Sequence, residues 1–377
     1  PQGFALLFLI LPSSGAQSVP PLAEMGNCFE GISRPVPKTP KRGFKVCVCG
    51  GAGNLGQPLC MLAALDPLVW ELAVYDRAIS LLPPEGIACD LDHLERKCRV
   101  KAYSLVSIQK EVDHLEECLT NCDLVLACVG VPTQGKTKSE LVKYNGSMVK
   151  SIVEACAKYC PNAMVGLIVN PINSVVPAMA TLYERAGLDP RRICGITGLD
   201  VVRANKFVHE ETGKPIELIN VPVVGGHAGQ FTSGTALPLF SQDRYASTIP
   251  EPRRSELIEH IRNASNEVSE AKKRKGSATL SQAYAGWRFG RAVLLGLSGQ
   301  KTEEHCFLKS DACEGVGFSA CKVTFGPTGV EQVHPIGRLS KQEKAALDEV
   351  KRQLAEDIEC GLKYAESTEL SQGSSAS

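Results

Sequence analysis

The chain has no excess of charge of either sign, because 41 Lys and Arg residues balance 41 Asp and Glu residues among 377. A balanced chain exerts no general attraction on nucleic acids or anionic membranes, so any anion must be bound by a local pocket. The chain also offers little for a membrane span. The apolar run at residues 4–11 is eight residues long, too short to cross a bilayer. We therefore predict neither a nucleic-acid partner nor a membrane partner.

Cysteine, in contrast, is abundant, with 16 residues. Cys47 and Cys49 alternate along an apolar run, and free cysteines pack as small hydrophobic side chains. Reduced thiols are typical of intracellular compartments. The sequence does not decide between the cytoplasm, the mitochondrion and another organelle. Cys156 and Cys160 resemble half of a metal site, but no second Cys or His pair follows at zinc-ligand spacing. We predict an intracellular protein with no metal site.

The chain divides into four parts by pattern. Residues 1–43 join the apolar run to a Pro-rich basic stretch, which predicts a flexible leader or a remnant of a targeting segment. Residues 44–190 alternate strand-like and helix-like patterns, which predicts an α/β domain with a doubly wound parallel sheet, a Rossmann domain. Residues 191–367 carry short strands and long amphipathic helices, which indicates a second, α+β substrate domain. Residues 368–377 are mostly small and polar, and we predict that they form a disordered tail.

A glycine signature lies between the first strand-like run and the first helix-like run. Gly50, Gly53 and Gly56 leave room for a pyrophosphate to reach backbone N–H groups at a helix N-terminus. Asp76 follows 20 residues after Gly56, where a carboxylate accepts hydrogen bonds from a ribose diol and repels a 2′-phosphate. The pattern predicts NAD rather than NADP, although the adjacent Arg77 weakens that preference. The alternative interpretation is an ordinary Gly-rich turn.

A second constellation contains a histidine, a carboxylate and an arginine. His227 stands in a glycine-flanked turn, and a histidine can give and take a proton near neutral pH. Asp200 can orient its ring, and Arg203, three residues later, can grip a carboxylate with two hydrogen bonds. Taken singly, these residues would be a turn or core histidine, a helix cap and a surface charge. Together with the glycine signature they predict hydride transfer between a nicotinamide and a small 2-hydroxy acid.

Several long segments match one family in the right order. From about Phe44 to Ala365 the chain resembles the NAD-dependent malate dehydrogenases of the lactate/malate dehydrogenase superfamily, and it is most similar to their mitochondrial and bacterial group. The segments that carry the resemblance include GGAGNLGQPL at 50–59, NPINS at 170–174, GLDVVRANKF at 198–207 and VPVVGGHAG at 221–229.

The resemblance implies roles for individual residues. His227 matches the family's proton donor and acceptor, Asp200 its carboxylate partner, and Arg203 the arginine that binds the substrate's α-carboxylate. Asn170 matches an asparagine near both substrate and nicotinamide, and Asn145 one that contacts the cofactor. The implied NAD-binding set is Gly50, Gly53, Asn54, Leu55, Gly56, Asp76, Gly130, Asn145, Asn170 and Gln282. The family also implies a homodimer or homotetramer.

The chain departs from this family in the substrate loop. Malate dehydrogenases carry two arginines there, whereas the segment Gly130–Glu140 contains none. Thr133 or Gln134 takes the place of the first arginine and Lys138 that of the second, so Gln134 and Lys138 are candidate substrate-binding residues. Lysine keeps the charge but lacks the planar fork of arginine. Gln282 replaces a common methionine. These changes leave two alternatives to a malate dehydrogenase. The chain could act on a 2-oxo acid with an apolar or aromatic side chain, or it could be a weakly active NAD-binding protein.

Overall fold

The computed structural model describes residues 43–78, 80, 82–106, 112–131, 135–228 and 233–368. The predicted leader up to residue 42, the tail from residue 369 and the candidate Gln134 lie outside the described residues.

Twelve strands form one sheet within the described residues. They are β1 (Phe44–Cys49), β2 (Val69–Arg77), β3 (Arg99–Val106), β4 (Val112–Asp113), β5 (Leu124–Ala127), β6 (Met164–Leu167), β7 (Ile193–Gly195), β8 (Val223–Gly225), β9 (Ala236–Pro238), β10 (Thr302–Lys309), β11 (Phe318–Gly326) and β12 (Gly329–Val333). Their order is β4-β3-β2-β1-β5-β6-β7-β10-β11-β8-β9, and β12 pairs with β11.

Apart from the two-residue β4, which pairs antiparallel with β3 at the edge, the first half of the sheet is parallel and winds outward in two directions. β1 pairs in parallel with β2 on one side and with β5 on the other, and β3, β6 and β7 continue the two halves. The chain therefore reverses its direction of winding between β1 and β5. In such sheets a crevice opens at the carboxyl ends of the strands at this reversal, and ligands bind there. The arrangement confirms the predicted doubly wound α/β fold.

Helices cover both faces of the sheet. They are α1 (Gly56–Leu65), α2 (Pro84–Asp92), α3 (Leu115–Leu119), α4 (Lys138–Tyr159), α5 (Ile172–Arg185), α6 (Gly198–Thr212), α7 (Arg253–Ala271), α8 (Thr279–Leu297) and α9 (Lys341–Glu366). Cys47 and Cys49 of β1 pack into the core beneath α3, α4 and α5, whereas Val46 and Val48 pack toward α1 and α8. Burial on both faces explains why β1 is continuously apolar from Val46 to Cys49 instead of alternating.

The second half of the chain extends the same sheet with antiparallel strands. β10 pairs with β7, and β11 pairs with β10, β8 and β12. The apolar segment at residues 218–224 is a strand only at its end. Residues Ile216–Leu218 form a 3-10 turn and only Val223–Gly225 is a strand, because Pro222 has no N–H to offer a ladder.

The fifteen described cysteines are free thiols, and twelve of them are buried. Burial raises the pKa of Cys98 and of Cys321 to about 11, which leaves little reactive thiolate at neutral pH. In the described part of the chain, none of the helices combines the length and the apolar character needed to cross a membrane. The same residues contain no group of three or more His, Cys, Asp or Glu side chains suited to a metal ion.

His305 on β10 makes the stability of the fold sensitive to acid. It is 4% exposed, its Nε2 has no hydrogen-bond partner, and burial lowers the pKa of its imidazole from 6.5 to about 3. Between those two pH values the unfolded chain binds a proton at this histidine that the folded chain does not bind. The free energy of unfolding is therefore highest above pH 6.5 as far as His305 is concerned, and it falls as the pH drops toward 3.

We expect the free energy of unfolding to fall between pH 7 and pH 5 by about 2 kcal/mol more in the wild type than in His305→Gln. Urea unfolding at the two pH values measures this difference. The exposed His93→Gln is the control and should follow the wild type. Parallel losses in the wild type and His305→Gln would show that His305 does not carry the effect.

Candidate active site

The glycine signature forms the turn that joins β1 to α1. Gly50 has φ +87°, a conformation that strains any other residue, and a Cβ on Gly56 would collide with the carbonyl oxygen of Gly50. Gly53 has open space around it apart from that same carbonyl at 3.3 Å, and it is exposed together with Asn54. Leu55 precedes the first turn of α1. The loop is therefore a tight cradle whose open side faces outward at a helix N-terminus, which suits a pyrophosphate.

Asp76 stands beside this cradle at the end of β2. Its Oδ2 accepts a hydrogen bond from the backbone N–H of Ala52 at 3.0 Å, and its Oδ1 accepts from the N–H of Arg77 and the hydroxyl of Ser80 at 2.8 and 2.9 Å. The carboxylate is thus fixed at the edge of the Gly-rich turn. A ribose attached to a pyrophosphate in the cradle would meet it, as the spacing predicts.

The loops after β5 and β6 are tied together by Asn145 of α4. Its Oδ1 accepts a hydrogen bond from the N–H of Val131 at 2.9 Å, and its Nδ2 donates to the carbonyl of Asn170 at 2.5 Å. Asn145 is 1% exposed, so its side chain shapes the crevice by holding backbone, while Gly130 and Asn170 are exposed there. Gln282 lies on α8 and is 9% exposed. These residues complete the described part of the predicted coenzyme set, and the cradle fits a dinucleotide.

The structure brings His227 and Asp200 into contact. The distance from His227 Nδ1 to Asp200 Oδ2 is 2.7 Å, and the same oxygen accepts from the N–H of Ala228 at 3.2 Å. Asp200 is fully buried, and its other oxygen, Oδ1, has no hydrogen-bond partner. Asp200 lies in the first turn of α6, but its side chain bonds to the histidine rather than capping the helix. The carboxylate fixes Nδ1 of the ring as the hydrogen-bond donor.

Arg203 lies one turn after Asp200 on the same helix and is only 7% exposed. Its Nη1 donates to the hydroxyl of Ser265 at 2.8 Å, and its Nη2 is buried without a partner. Burial lowers the pKa of the guanidinium, while the charges of Asp200 and Glu267 act in the opposite direction. A buried guanidinium with an unused donor is a strong binder for a carboxylate. The interpretation of Arg203 as a surface charge is wrong.

The turn that carries His227 requires its glycines. Gly225 has φ +93°, and a Cβ on Gly226 would lie 2.5 Å from Thr235 Oγ1 and 2.7 Å from Asn173 Nδ2. Asn173 Oδ1 accepts the backbone N–H of His227 at 3.1 Å. The turn is therefore pressed against two buried polar side chains that our sequence analysis did not single out.

Lys138 has a protein partner in this structure. It is the first residue of α4, and its ammonium pairs with the carboxylate of Asp357 on α9, which is 3% exposed. The prediction that Lys138 takes the place of a substrate-binding arginine stays a prediction, and the described conformation pairs its charge with Asp357. The signal that could have identified Asp357 is its spacing. It falls three residues after Leu354, on the apolar stripe of α9, where a charge requires a partner.

Comparisons with known proteins give a consistent result. The glyoxysomal malate dehydrogenase of Citrullus lanatus is 41% identical over 324 residues, covering 85% of this chain and 87% of the relative. The mitochondrial malate dehydrogenase 1 of Arabidopsis thaliana is 40% identical over 323 residues, covering 85% and 91%. The crystal structure of malate dehydrogenase from Cryptosporidium parvum superimposes with a TM-score of 0.71 at 25% identity, covering 86% of this chain and 100% of that one.

Two family models account for most of the described residues. The lactate/malate dehydrogenase NAD binding domain matches residues 44–195, and the lactate/malate dehydrogenase alpha/beta C-terminal domain matches residues 197–365. These matches confirm the resemblance drawn from the motifs. The chain belongs to the lactate/malate dehydrogenase family.

Proposed function

We propose that this chain is an NAD-dependent dehydrogenase that interconverts L-malate and oxaloacetate. Two observations carry the proposal: the contact between His227 and Asp200, and the buried, unpaired Nη2 of Arg203 one turn after Asp200 on α6. We assign the proton to His227, its orientation to Asp200 and the binding of the substrate carboxylate to Arg203. The curated relatives at about 40% identity are named malate dehydrogenases, which supports the choice of substrate.

The side chains divide the reaction between them. Arg203 binds the α-carboxylate of the substrate through Nη2, and we assign the exposed Asn170, which follows β6, to the substrate and the nicotinamide. In the direction of malate oxidation, His227 takes the hydroxyl proton at Nε2 while Asp200 stabilises the imidazolium that forms. In the reverse direction, the protonated ring gives that proton to the developing alkoxide. Bound NAD supplies the hydride acceptor, and NADH the donor.

The coenzyme site follows from the residues around the β1–β5 reversal. We assign the pyrophosphate to the turn of Gly50, Gly53 and Gly56, with Asn54 and Leu55 at the start of α1. The other residues that we propose to contact NAD are Asp76, Gly130, Asn145, Asn170 and Gln282. The N-terminus of α1 contributes a partial positive charge to the phosphates, and the aspartate selects a free ribose diol.

Asp76 provides a test of coenzyme choice. We expect Asp76→Ser to reduce the preference for NADH over NADPH, measured as the ratio of kcat/KM values, by about tenfold or more, because one lost charged hydrogen bond contributes about 1.4 kcal/mol or more. The control is Asp92→Ser, an exposed carboxylate at the end of α2, which should leave the ratio unchanged. An unaltered ratio in Asp76→Ser would remove this residue from the coenzyme site.

A panel of 2-oxo acids tests the proposed reaction. NADH oxidation should be measured side by side with oxaloacetate, pyruvate, 2-oxoglutarate and phenylpyruvate. We expect the highest kcat/KM with oxaloacetate. No turnover on any of the four would contradict the assignment as an active dehydrogenase.

A second candidate function is supported by the segment Gly130–Glu140. It has no arginine for a distal carboxylate, and the charge of Lys138 is bound by Asp357. A dehydrogenase for a 2-hydroxy acid with an apolar or aromatic side chain fits this segment. Faster turnover of phenylpyruvate than of oxaloacetate would select it. NADH binding with negligible turnover of all four acids would indicate a weakly active NAD-binding protein.

We also propose the organisation that surrounds the site. Residues 44–190 would form the NAD-binding domain and residues 191–367 the substrate domain. Met61 on α1, with Leu280 and Tyr284 on α8, presents exposed apolar side chains on neighbouring helices, which supports a homodimer or homotetramer. Light scattering of the purified protein tests this assembly. The many reduced thiols support an intracellular compartment, cytoplasm, mitochondrion or another organelle, and relatives are named for both mitochondria and glyoxysomes.

A further inference from the structure

The backbone of His227 is held from both sides by buried side chains. Asn173 Oδ1 accepts its N–H at 3.1 Å, and the hydroxyl of Thr235 donates to its carbonyl oxygen at 3.1 Å. Asn173 Nδ2 also donates to Thr235 Oγ1 at 3.0 Å, and both residues are at most 1% exposed. The direction in which the imidazole points is therefore set by groups behind the turn as well as by Asp200.

The same asparagine connects this turn to a buried charge. Asn173 Nδ2 donates to Asp357 Oδ2 at 2.9 Å, and the hydroxyl of Ser174 donates to the backbone carbonyl of Asp357 at 2.7 Å. The other carboxylate oxygen of Asp357 contacts the ammonium of Lys138. Among the described residues, Lys138 is the cation that forms an ion pair with this carboxylate. A buried carboxylate without a cation is costly, so Asp357 keeps its place only while Lys138 is present.

We propose that Lys138 is a positioning residue, which holds His227 in its working orientation through Asp357 and Asn173. The proposal rests on the proposed function, in which His227 transfers the proton. The proposal also explains why a lysine can stand at position 138, where the family has an arginine. One ammonium satisfies one carboxylate oxygen, whereas a substrate carboxylate bound in two places calls for the planar fork of arginine. Lys138 opens α4 directly after the segment that corresponds to the family's substrate loop, so the start of this helix and the histidine turn share one hydrogen-bonded chain.

The two possible roles of Lys138 differ in what a substitution changes. A substrate ligand acts without Asp357, and its loss raises KM for a dicarboxylate. A positioning residue acts only through Asp357, and its loss lowers kcat while KM stays nearly constant. A double-mutant cycle separates these cases because it measures whether two substitutions act independently.

The cycle consists of Lys138→Met, Asp357→Asn and the double variant, assayed with oxaloacetate and NADH. We expect Lys138→Met to lower kcat by about tenfold or more with KM values within about threefold of the wild type. Adding Asp357→Asn removes the unpaired charge and should restore kcat to within about threefold of Asp357→Asn alone. Lys138→Arg should retain most of the activity. The control is Lys143→Met, an exposed lysine of the same helix, which should behave as the wild type.

Hydrogen exchange of a peptide that covers residues 223–228 gives a readout that needs no turnover. It reports the protection of the His227 amide, which bonds to Asn173. We expect exchange about tenfold faster in Lys138→Met than in the wild type, and slower again in the double variant. If the wild type reduces none of the four acids, the proposed reaction fails, and the exchange data still decide the role of Lys138. Unchanged exchange in Lys138→Met, or additive effects on kcat with a raised KM, would overturn the proposal.

Discussion

Replacing His227 with asparagine is expected to lower kcat for oxaloacetate reduction by about 10²–10⁴-fold, the usual contribution of a general acid. The asparagine amide can still donate to Asp200 Oδ2, which His227 Nδ1 contacts at 2.7 Å, so the buried carboxylate keeps a partner. What is lost is the nitrogen that carries the exchangeable proton. Steady-state assays of NADH oxidation over a range of pH measure the effect.

The affinity for NADH provides the internal control for this variant. The coenzyme cradle lies after β1, and His227 lies after β8, so NADH binding measured by fluorescence should remain within about threefold of the wild type. His209→Asn, a half-buried histidine on α6, should retain full activity. If His227→Asn keeps more than about a tenth of the wild-type kcat, another group moves the proton.

The second large effect is expected at Arg203. Arg203→Lys should lower kcat/KM for oxaloacetate by about 10²–10³-fold, because one ammonium cannot both keep the contact with Ser265 and present a donor where Nη2 lies. In the present structure Nη1 is held by Ser265, which aims the fork, and Nη2 has no partner. A lysine would lose the anchoring contact as well as the clamp. Steady-state kinetics with NADH held at saturation measure the loss.

A matched control separates binding of substrate from general damage. Arg254 donates to the backbone carbonyls of Ile249 and Ser247 away from this site, and Arg254→Lys should leave kcat/KM unchanged. The Arg203→Lys variant should also bind NADH normally. Normal kcat/KM in Arg203→Lys would mean that the substrate carboxylate is bound elsewhere.

Much of the site could be predicted because its parts lie in local patterns. The glycine turn, the carboxylate after β2 and the histidine between glycines each occupy a short segment whose chemistry is readable by itself. The contact between His227 and Asp200 also followed from reasoning about tautomers, and the structure places these side chains 2.7 Å apart. The parallel half of the sheet was likewise visible in its apolar runs.

Other parts were hidden because they depend on residues far apart in sequence. Asn173 and Asp357 are separated by 184 positions, and no local pattern pairs them. The spacing of Asp357 places it on the apolar stripe of α9, but the sequence does not show which residues it meets. Lys138 stands where the family has a substrate-binding arginine, which favours a substrate role. Only the packing of α9 against α4 and α5 shows the carboxylate that it meets. The single sheet that joins both halves of the chain also rests on long-range pairing.

We propose that His227, Asp200 and Arg203 together bind a small 2-hydroxy dicarboxylate. The most direct measurement is a crystal structure of the protein with NADH and hydroxymalonate, a malate analogue. We expect one carboxylate within hydrogen-bond distance of Arg203 Nη2 and the hydroxyl within hydrogen-bond distance of His227 Nε2. A hydroxymalonate bound away from both side chains, with the coenzyme in its cradle, would contradict it.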